Sequence, residues 1–342
     1  MERAGIKPNP SRLVRLMRIA LIATGMIALF VLGIAIVQDF WLRTQLGSLG
    51  VEGALVDVGG RKIHLKCSGG GRLHYVLEAG ALGTTANWSW LQASLDDDAR
   101  VCAYDRAGLG ASDVNPDGFD SGNVARDLKT ALDAAGERGP FVLVGHSLGG
   151  VFARQFAATY PADTAALVLV DPSHEDQLAR FPPGLTQEFK AFRSLAAWLP
   201  VVARTGLLRV WNPIAATVSG LEGASLQRAR LYVQDPAHLA SASEELQAWD
   251  AIMARVRSAR IAPAVPVLVV TAGRNSRGGP SATAPYFLPL HRDLAGRSIA
   301  GSHRAIPDAD HFSVLMDRVQ ADHLTMLIRD FLSRTGPSDP AR

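Results

Sequence analysis

Phe141-Val142-Leu143-Val144-Gly145-His146-Ser147-Leu148-Gly149-Gly150 is the stretch that decides how the rest of the chain is read. Four apolar residues rich in valine predict a short buried strand, and residues 151–160, closed by Pro161, predict a helix. Gly145-His146-Ser147-Leu148-Gly149 therefore falls on the turn between them, the sequence form of a nucleophile elbow. A serine on so sharp a turn needs a strained backbone, and glycine at 145 and 149 lets strand and helix approach without Cβ clashes. The Ser147 hydroxyl would stand above the sheet edge. The helix N-terminus beyond it offers unpaired N–H groups and partial positive charge to an oxyanion. In a chain with 32 glycines the bare Gly-x-Ser-x-Gly pattern is weak. The strand before it and the helix after it set it apart from a glycine-rich turn whose serine only caps a helix.

Towards the N-terminus, residues 19–37 carry no charge and, Thr24 and two glycines apart, are all apolar. At ~1.5 Å per residue they span roughly 28 Å, the thickness of a hydrocarbon core. Arg3, Lys7, Arg12, Arg15 and Arg18 precede the run against Glu2 alone, and Asp39, Phe40 and Trp41 come after it. The positive-inside rule then keeps residues 1–18 cytoplasmic and exports the chain beyond residue 37, to the periplasm or the cell exterior. A cleaved signal peptide is the competing reading. The apolar run is longer than the usual h-region, and Ala35-Ile36-Val37-Gln38 is a poor cleavage site. The net charge of +3 owes much to the basic tail, and no Lys/Arg-rich run occurs in the body, so nucleic acid is not an expected partner. Residues 335–342, rich in Pro, Gly and Ser, read as disordered.

From residue 50 onward, strands are expected at 54–58, 62–67, 74–78, 100–104, 141–144, 166–170, 265–271 and 297–306, and helices at 87–95, 122–135, 151–160 and 314–332. An opening hairpin followed by alternating strands and helices implies an α/β fold with a mostly parallel sheet covered on both faces. Between 174 and 264 no strand is expected, and bulky apolar residues such as Phe189, Phe192, Trp198, Leu199 and Trp249 recur in a helical composition.

Three motifs give the chain a family resemblance: the elbow, the Tyr104-Asp105-Arg106-Ala107-Gly108-Leu109-Gly110-Ala111-Ser112 turn after the fourth strand, and Asp310-His311-Phe312 before the last helix. Over about residues 50–335 the chain resembles the α/β-hydrolases, most of all small esterase-like members with Leu-Glu-Ala-Gly after the third strand. The resemblance implies an eight-stranded sheet divided into a first core part (50–173), a helical cap (174–264) and a second core part (265–335). It also implies that the second strand lies beside the fourth, bringing Cys67 and Cys102 onto neighbouring strands. They would be a disulfide in an oxidising space or two buried thiols otherwise.

By the same resemblance Ser147 is the nucleophile and His311 its base, with His146 at most supporting. The orienting acid has no candidate after the seventh strand, where Thr271-Ala272-Gly273-Arg274-Asn275 contains no carboxylate. Asp171, after the sixth strand, is the choice, with Asp310, Asp308 and Glu175 behind it. Main-chain N–H groups of Leu148 and Ala81 are the expected oxyanion hole. Asp105 and Arg106 read as a structural turn. No metal or organic cofactor is expected, because there is no zinc or phosphate-binding motif. A hydrophobic small-molecule ester is the expected substrate, under a cap that excludes water. Thioesterase, amidase, carbon–carbon hydrolase and perhydrolase chemistry use the same triad, and a non-catalytic binding protein can keep the same scaffold.

Overall fold

The computed structural model describes residues 10–275, 279 and 281–335. The tail at 336–342, and Arg3 and Lys7, lie outside the described residues.

The chain begins with one long helix, α1 (Pro10–Leu49), which contains the apolar run and is long and apolar enough to cross a membrane. It runs well past Val37, because its C-terminal turns find a second environment. Gln38 and Leu42 are buried against the rest of the protein, and Asp39 pairs with Arg43 one turn on. The helix stops at Gly50, which has φ +63°, the left-handed conformation that ends helices and suits glycine. Only residues 50–53 separate it from the first strand. Arg228 holds that junction, donating to the carbonyls of Leu49 (2.8 Å) and Gly50 (2.5 Å) and pairing with Glu52.

Eight strands form one sheet: β1 (Ala54–Asp57), β2 (Lys62–Ser68), β3 (Leu73–Glu78), β4 (Ala99–Tyr104), β5 (Phe141–His146), β6 (Thr164–Val170), β7 (Val267–Ala272) and β8 (Gly301–Ile306). Their spatial order is β1-β2-β4-β3-β5-β6-β7-β8, with β2 antiparallel to both its neighbours, β1 and β4, and every other neighbouring pair parallel. β2 lies beside β4 with Cys67 opposite Cys102; the two sulfurs are bonded and their Cα atoms are 4.0 Å apart.

The period of two along the strands builds two cores. Tyr75, Leu77, Val142, Val144, Val168 and Val170 face one side of the sheet. There they meet α2 (Ser89–Leu95) and the last helix, which carries Leu324, Ile328 and Phe331. Val76, Leu143, Leu167, Leu169 and Val269 face the other side, against α3 (Ser121–Ala134) and α4 (Leu148–Thr159). Central strands buried on both faces are why β6 and β7 read as unbroken apolar runs.

Between β6 and β7 the chain passes through seven helices: α5 (Gln177–Arg180), α6 (Pro183–Ala196), α7 (Leu199–Arg204), α8 (Leu207–Val210), α9 (Gly223–Tyr232), α10 (Pro236–Gln247) and α11 (Trp249–Ser258). Three expectations need correction beyond this point. A helix not expected from the sequence, α12 (Ala284–Gly296), joins β7 to β8, its periodicity obscured by Pro289. β8 starts at Gly301, because residues 297–300 complete the turn out of α12. The terminal helix is broken into α13 (Ser313–Met316) and α14 (Arg318–Thr335) by extended backbone at Asp317.

Candidate active site

The carboxyl ends of β3, β5, β6, β7 and β8 converge on one edge of the sheet, and the segments carrying Ala81, His146, Ser147, Leu148, Asp171 and His311 leave from there, while Cys67 and Cys102 pair inside β2 and β4. Ser147 joins β5 to α4 with φ +54° and ψ −123°, a conformation costly for a residue with a side chain. The strain is held from three directions. Its N–H donates to Val170 O on β6 (3.0 Å), and its carbonyl accepts from Gly150 (3.1 Å) and Ser173 (3.0 Å). The two flanking glycines are sterically obligatory. A Cβ on Gly145 would sit 2.7 Å from the Gly149 carbonyl oxygen, and one on Gly149 would sit 2.1 Å from that of Glu78.

Asp171 also has positive φ, +43°, at the end of β6. Its two oxygens are divided between two partners: Oδ1 accepts from Ala272 N–H (3.1 Å) and Oδ2 from His311 Nδ1 (2.6 Å). Burial would raise this carboxyl, but the hydrogen bond and charge of His311 outweigh it and hold the group at about 2. An ionised Asp171 therefore fixes the proton of His311 on Nδ1 and leaves Nε2 with a free lone pair. The other three carboxylates are committed elsewhere. Asp310 accepts from Phe312 and Ser313 N–H at the start of α13, Asp308 pairs with Arg274, and Glu175 pairs with Arg154 and Arg297.

His146 points into this group. Its Nε2–H donates to the His311 carbonyl (2.7 Å), with the two rings 4.7 Å apart, and burial followed by the nearby His311 drives its pKa down to about 3. It is a neutral strut holding the His311 backbone against β5. Among the described residues the Ser147 hydroxyl makes no hydrogen bond.

The loop after β3 reaches the same spot. A Cβ on Gly80 would lie 3.0 Å from His146 Nδ1 and 3.2 Å from Ser147 Cβ. Gly83 N–H closes a turn onto Gly80 O (3.1 Å), so Ala81 lies at its first central position, beside the free N-terminus of α4 where Leu148 sits.

A family model described as the α/β hydrolase fold matches residues 76–204, which include the elbow and the loop after β3. The solved structure of a variant of the protein aCif superposes with TM-score 0.69 at 18% identity, covering 86% of this chain and 95% of its own. A thermophilic esterase from Thermogutta terrifontis superposes with TM-score 0.58 at 23% identity, covering 84% of this chain and 99% of its own. This chain has the α/β-hydrolase fold. An uncharacterized Bacillus subtilis protein, YbdG, is 28% identical over 161 residues, 46% of this chain and 49% of its own length. The chain thus spans about half the length, or less, of the curated relatives it matches first.

Of three supports of the site, one is the loop brace expected at Arg106 and two escaped the sequence reading. Arg106, which reads from sequence as a loop brace, lies at the centre of a buried network. It donates to Glu78 (2.8 Å), to both oxygens of Glu245 on α10 (2.7 and 2.8 Å), and to the carbonyls of Ala79 (2.5 Å) and Gly80 (3.0 Å). The guanidinium so fixes the loop carrying Ala81 and ties it to the helices between β6 and β7. His238, also on α10, donates from Nε2 to Leu82 O (3.2 Å) and accepts Gly110 N–H on Nδ1 (3.0 Å). Behind Asp171, His303 donates to Thr271 Oγ1 (2.8 Å), Thr271 to His291 Nδ1 (2.6 Å), and His291 Nε2 to Pro172 O (2.9 Å), which anchors the backbone next to the acid. Glu245, His238 and His291 stand far from any motif in sequence, and nothing in their local pattern marks them.

Beside the Gly80–Gly83 turn and His146 opens a cavity of about 390 Å³. Trp88, Phe192, Leu199, Ile214, Phe312 and Met316 are among the apolar residues that line it.

Proposed function

We propose that this chain is an α/β-hydrolase in activity as in fold, a membrane-anchored serine hydrolase that cleaves an ester with an apolar acyl or alcohol group. The observation that carries the proposal is the 2.6 Å contact of His311 Nδ1 with the ionised Asp171, on the same sheet edge as a serine in a strained elbow. Ser147 Oγ attacks the ester carbonyl while His311 Nε2 takes its proton, and the carbonyl oxygen, now an oxyanion, accepts hydrogen bonds from Leu148 and Ala81 N–H. The tetrahedral centre collapses, the carbon–oxygen bond to the alcohol breaks, and the leaving alkoxide takes the proton from His311. Water then attacks the acyl-enzyme, giving a proton to His311, and collapse releases the acid and returns the proton to Ser147. The Ser147 hydroxyl, which makes no hydrogen bond among the described residues, turns to His311 Nε2 when the ester binds, as catalytic contacts do in substrate complexes.

The apolar cavity supports the choice of a hydrophobic ester, since its wall offers few polar groups to a charged or sugar-like ligand. The apolar run of α1, preceded by Arg12, Arg15 and Arg18 in its first turns, supports a single span with the catalytic domain exported. The Cys67–Cys102 bond suits an oxidising compartment.

The test is fluorophosphonate labelling of the purified full chain beside Ser147→Ala, with p-nitrophenyl esters of increasing chain length. Labelling of the wild type lost in the variant is expected, with turnover rising towards medium-length acyl chains. A folded wild type that takes no label refutes the reading.

A further inference from the structure

The surface of α6 to α8 is unusual for a soluble face. Leu195, Trp198, Val201, Leu207, Val210 and Trp211 are each about half exposed or more, Val210 at 88%. From residue 194 to 221 the chain carries two charges, Arg204 and Arg209, and no acidic residue. Exposed tryptophans, aliphatics and scattered arginines without acids are the composition of a segment that sits at a bilayer interface.

The position of this face relative to α1 says what covers it. Gly206, Arg209 and Val210 border a groove whose other wall is Leu29, Phe30, Gly33 and Val37 of α1, with Gln38 at its end. The Arg209 guanidinium stacks 3.9 Å over the Trp41 ring. From Gln38 back to Leu29 is about 13 Å of helix, close to the ~15 Å half-thickness of a hydrocarbon core. A bilayer crossed by residues 19–37 therefore reaches α8 in its outer half, and the exposed apolar face continues the apolar surface of α1.

We infer that α6 to α8 are embedded in the outer leaflet beside α1, and that the site takes its ester from that leaflet. Phe192 and Leu195 belong both to the cavity wall and to the exposed face, so the cavity opens towards the lipid. A substrate whose acyl chain is dissolved in the bilayer moves sideways into the cavity without crossing water. Arg204 and Arg209 meet lipid headgroups, with a preference for anionic ones. This inference rests on the membrane-spanning reading of α1.

The test uses the full chain reconstituted in vesicles containing phosphatidylglycerol, the native disulfide leaving an introduced thiol unique. An environment-sensitive NBD group is attached at Val210→Cys and, as a control, at Ile299→Cys, which lies at the opposite sheet edge. Emission at 210 is expected to shift to the blue and to be quenched by doxyl-labelled lipid, and emission at 299 to do neither. Equal behaviour at the two positions overturns the docking. In the second arm, Val210→Glu combined with Trp211→Glu is expected to cut turnover of a bilayer-resident fluorogenic ester about tenfold and to leave a water-soluble acetate ester within about twofold. Unchanged turnover of the bilayer ester, or an equal fall on both substrates, overturns the substrate route. The NBD readout needs no catalysis, so a failed fluorophosphonate reaction refutes the hydrolase reading without touching the docking result.

Discussion

Besides Leu82 in the loop after β3, two residues at neighbouring strand ends hold positive φ with side chains attached, Ser147 after β5 and Asp171 after β6, and Asp171 bonds His311. On the proposed mechanism Asp171→Asn removes the carboxylate that keeps the His311 proton on Nδ1, and kcat is expected to fall about 10³-fold or more. Asp310→Asn, which weakens only the cap of α13, should cost about 1 kcal/mol of stability and spare turnover. Parallel kinetics and urea titrations separate the two; equal losses of activity would remove Asp171 from the triad. His146 makes a different prediction. Its pKa near 3 lies below that of an unfolded histidine, so between pH 6.5 and 3 the unfolded chain binds the proton that the folded chain refuses. Stability is complete above pH 6.5 and is lost as pH falls through that window. The urea midpoint measured from pH 7 to 4 should decline, and His146→Gln should flatten the decline.

At the scale of elements, α10 is where the helices between β6 and β7 are tied to the loop after β3. Glu245→Ala takes from the buried Arg106 one of its two carboxylate partners, an expected loss of about 3 kcal/mol by urea unfolding. The elements themselves were legible wherever one periodicity ran without interruption. β5, β6 and β7 announced themselves by valine-rich runs, and α4 by its position after the elbow. What was hidden depended on distant partners or on local exceptions. α12 carries Pro289, α13 and α14 break at a single extended residue, and α1 outruns its apolar stretch because Gln38 and Leu42 find buried surroundings no local pattern reveals. The same division holds for the site. Ser147 and His311 sit in motifs, Asp171 could be named only among four carboxylates, and Arg106 drew its meaning from Glu245, 139 positions along the chain.

For the whole molecule, the Cys67–Cys102 bond closes a segment of 35 residues that contains β3, α2 and most of β4. Replacing both cysteines with alanine should lower stability by about 3 kcal/mol, through the unfolded chain's regained freedom. Alkylation of unreduced protein should find no thiol. The junction at residues 50–53 sets a different property. A long flexible linker would let an anchored domain swing through a hemisphere and sample solutes far from its anchor. Here Arg228 clamps the end of α1, and the chain enters the sheet almost at once. In the proposed arrangement Ser147 is held at one altitude over the bilayer. It searches for substrate in two dimensions, at the speed with which lipids and the protein itself diffuse sideways.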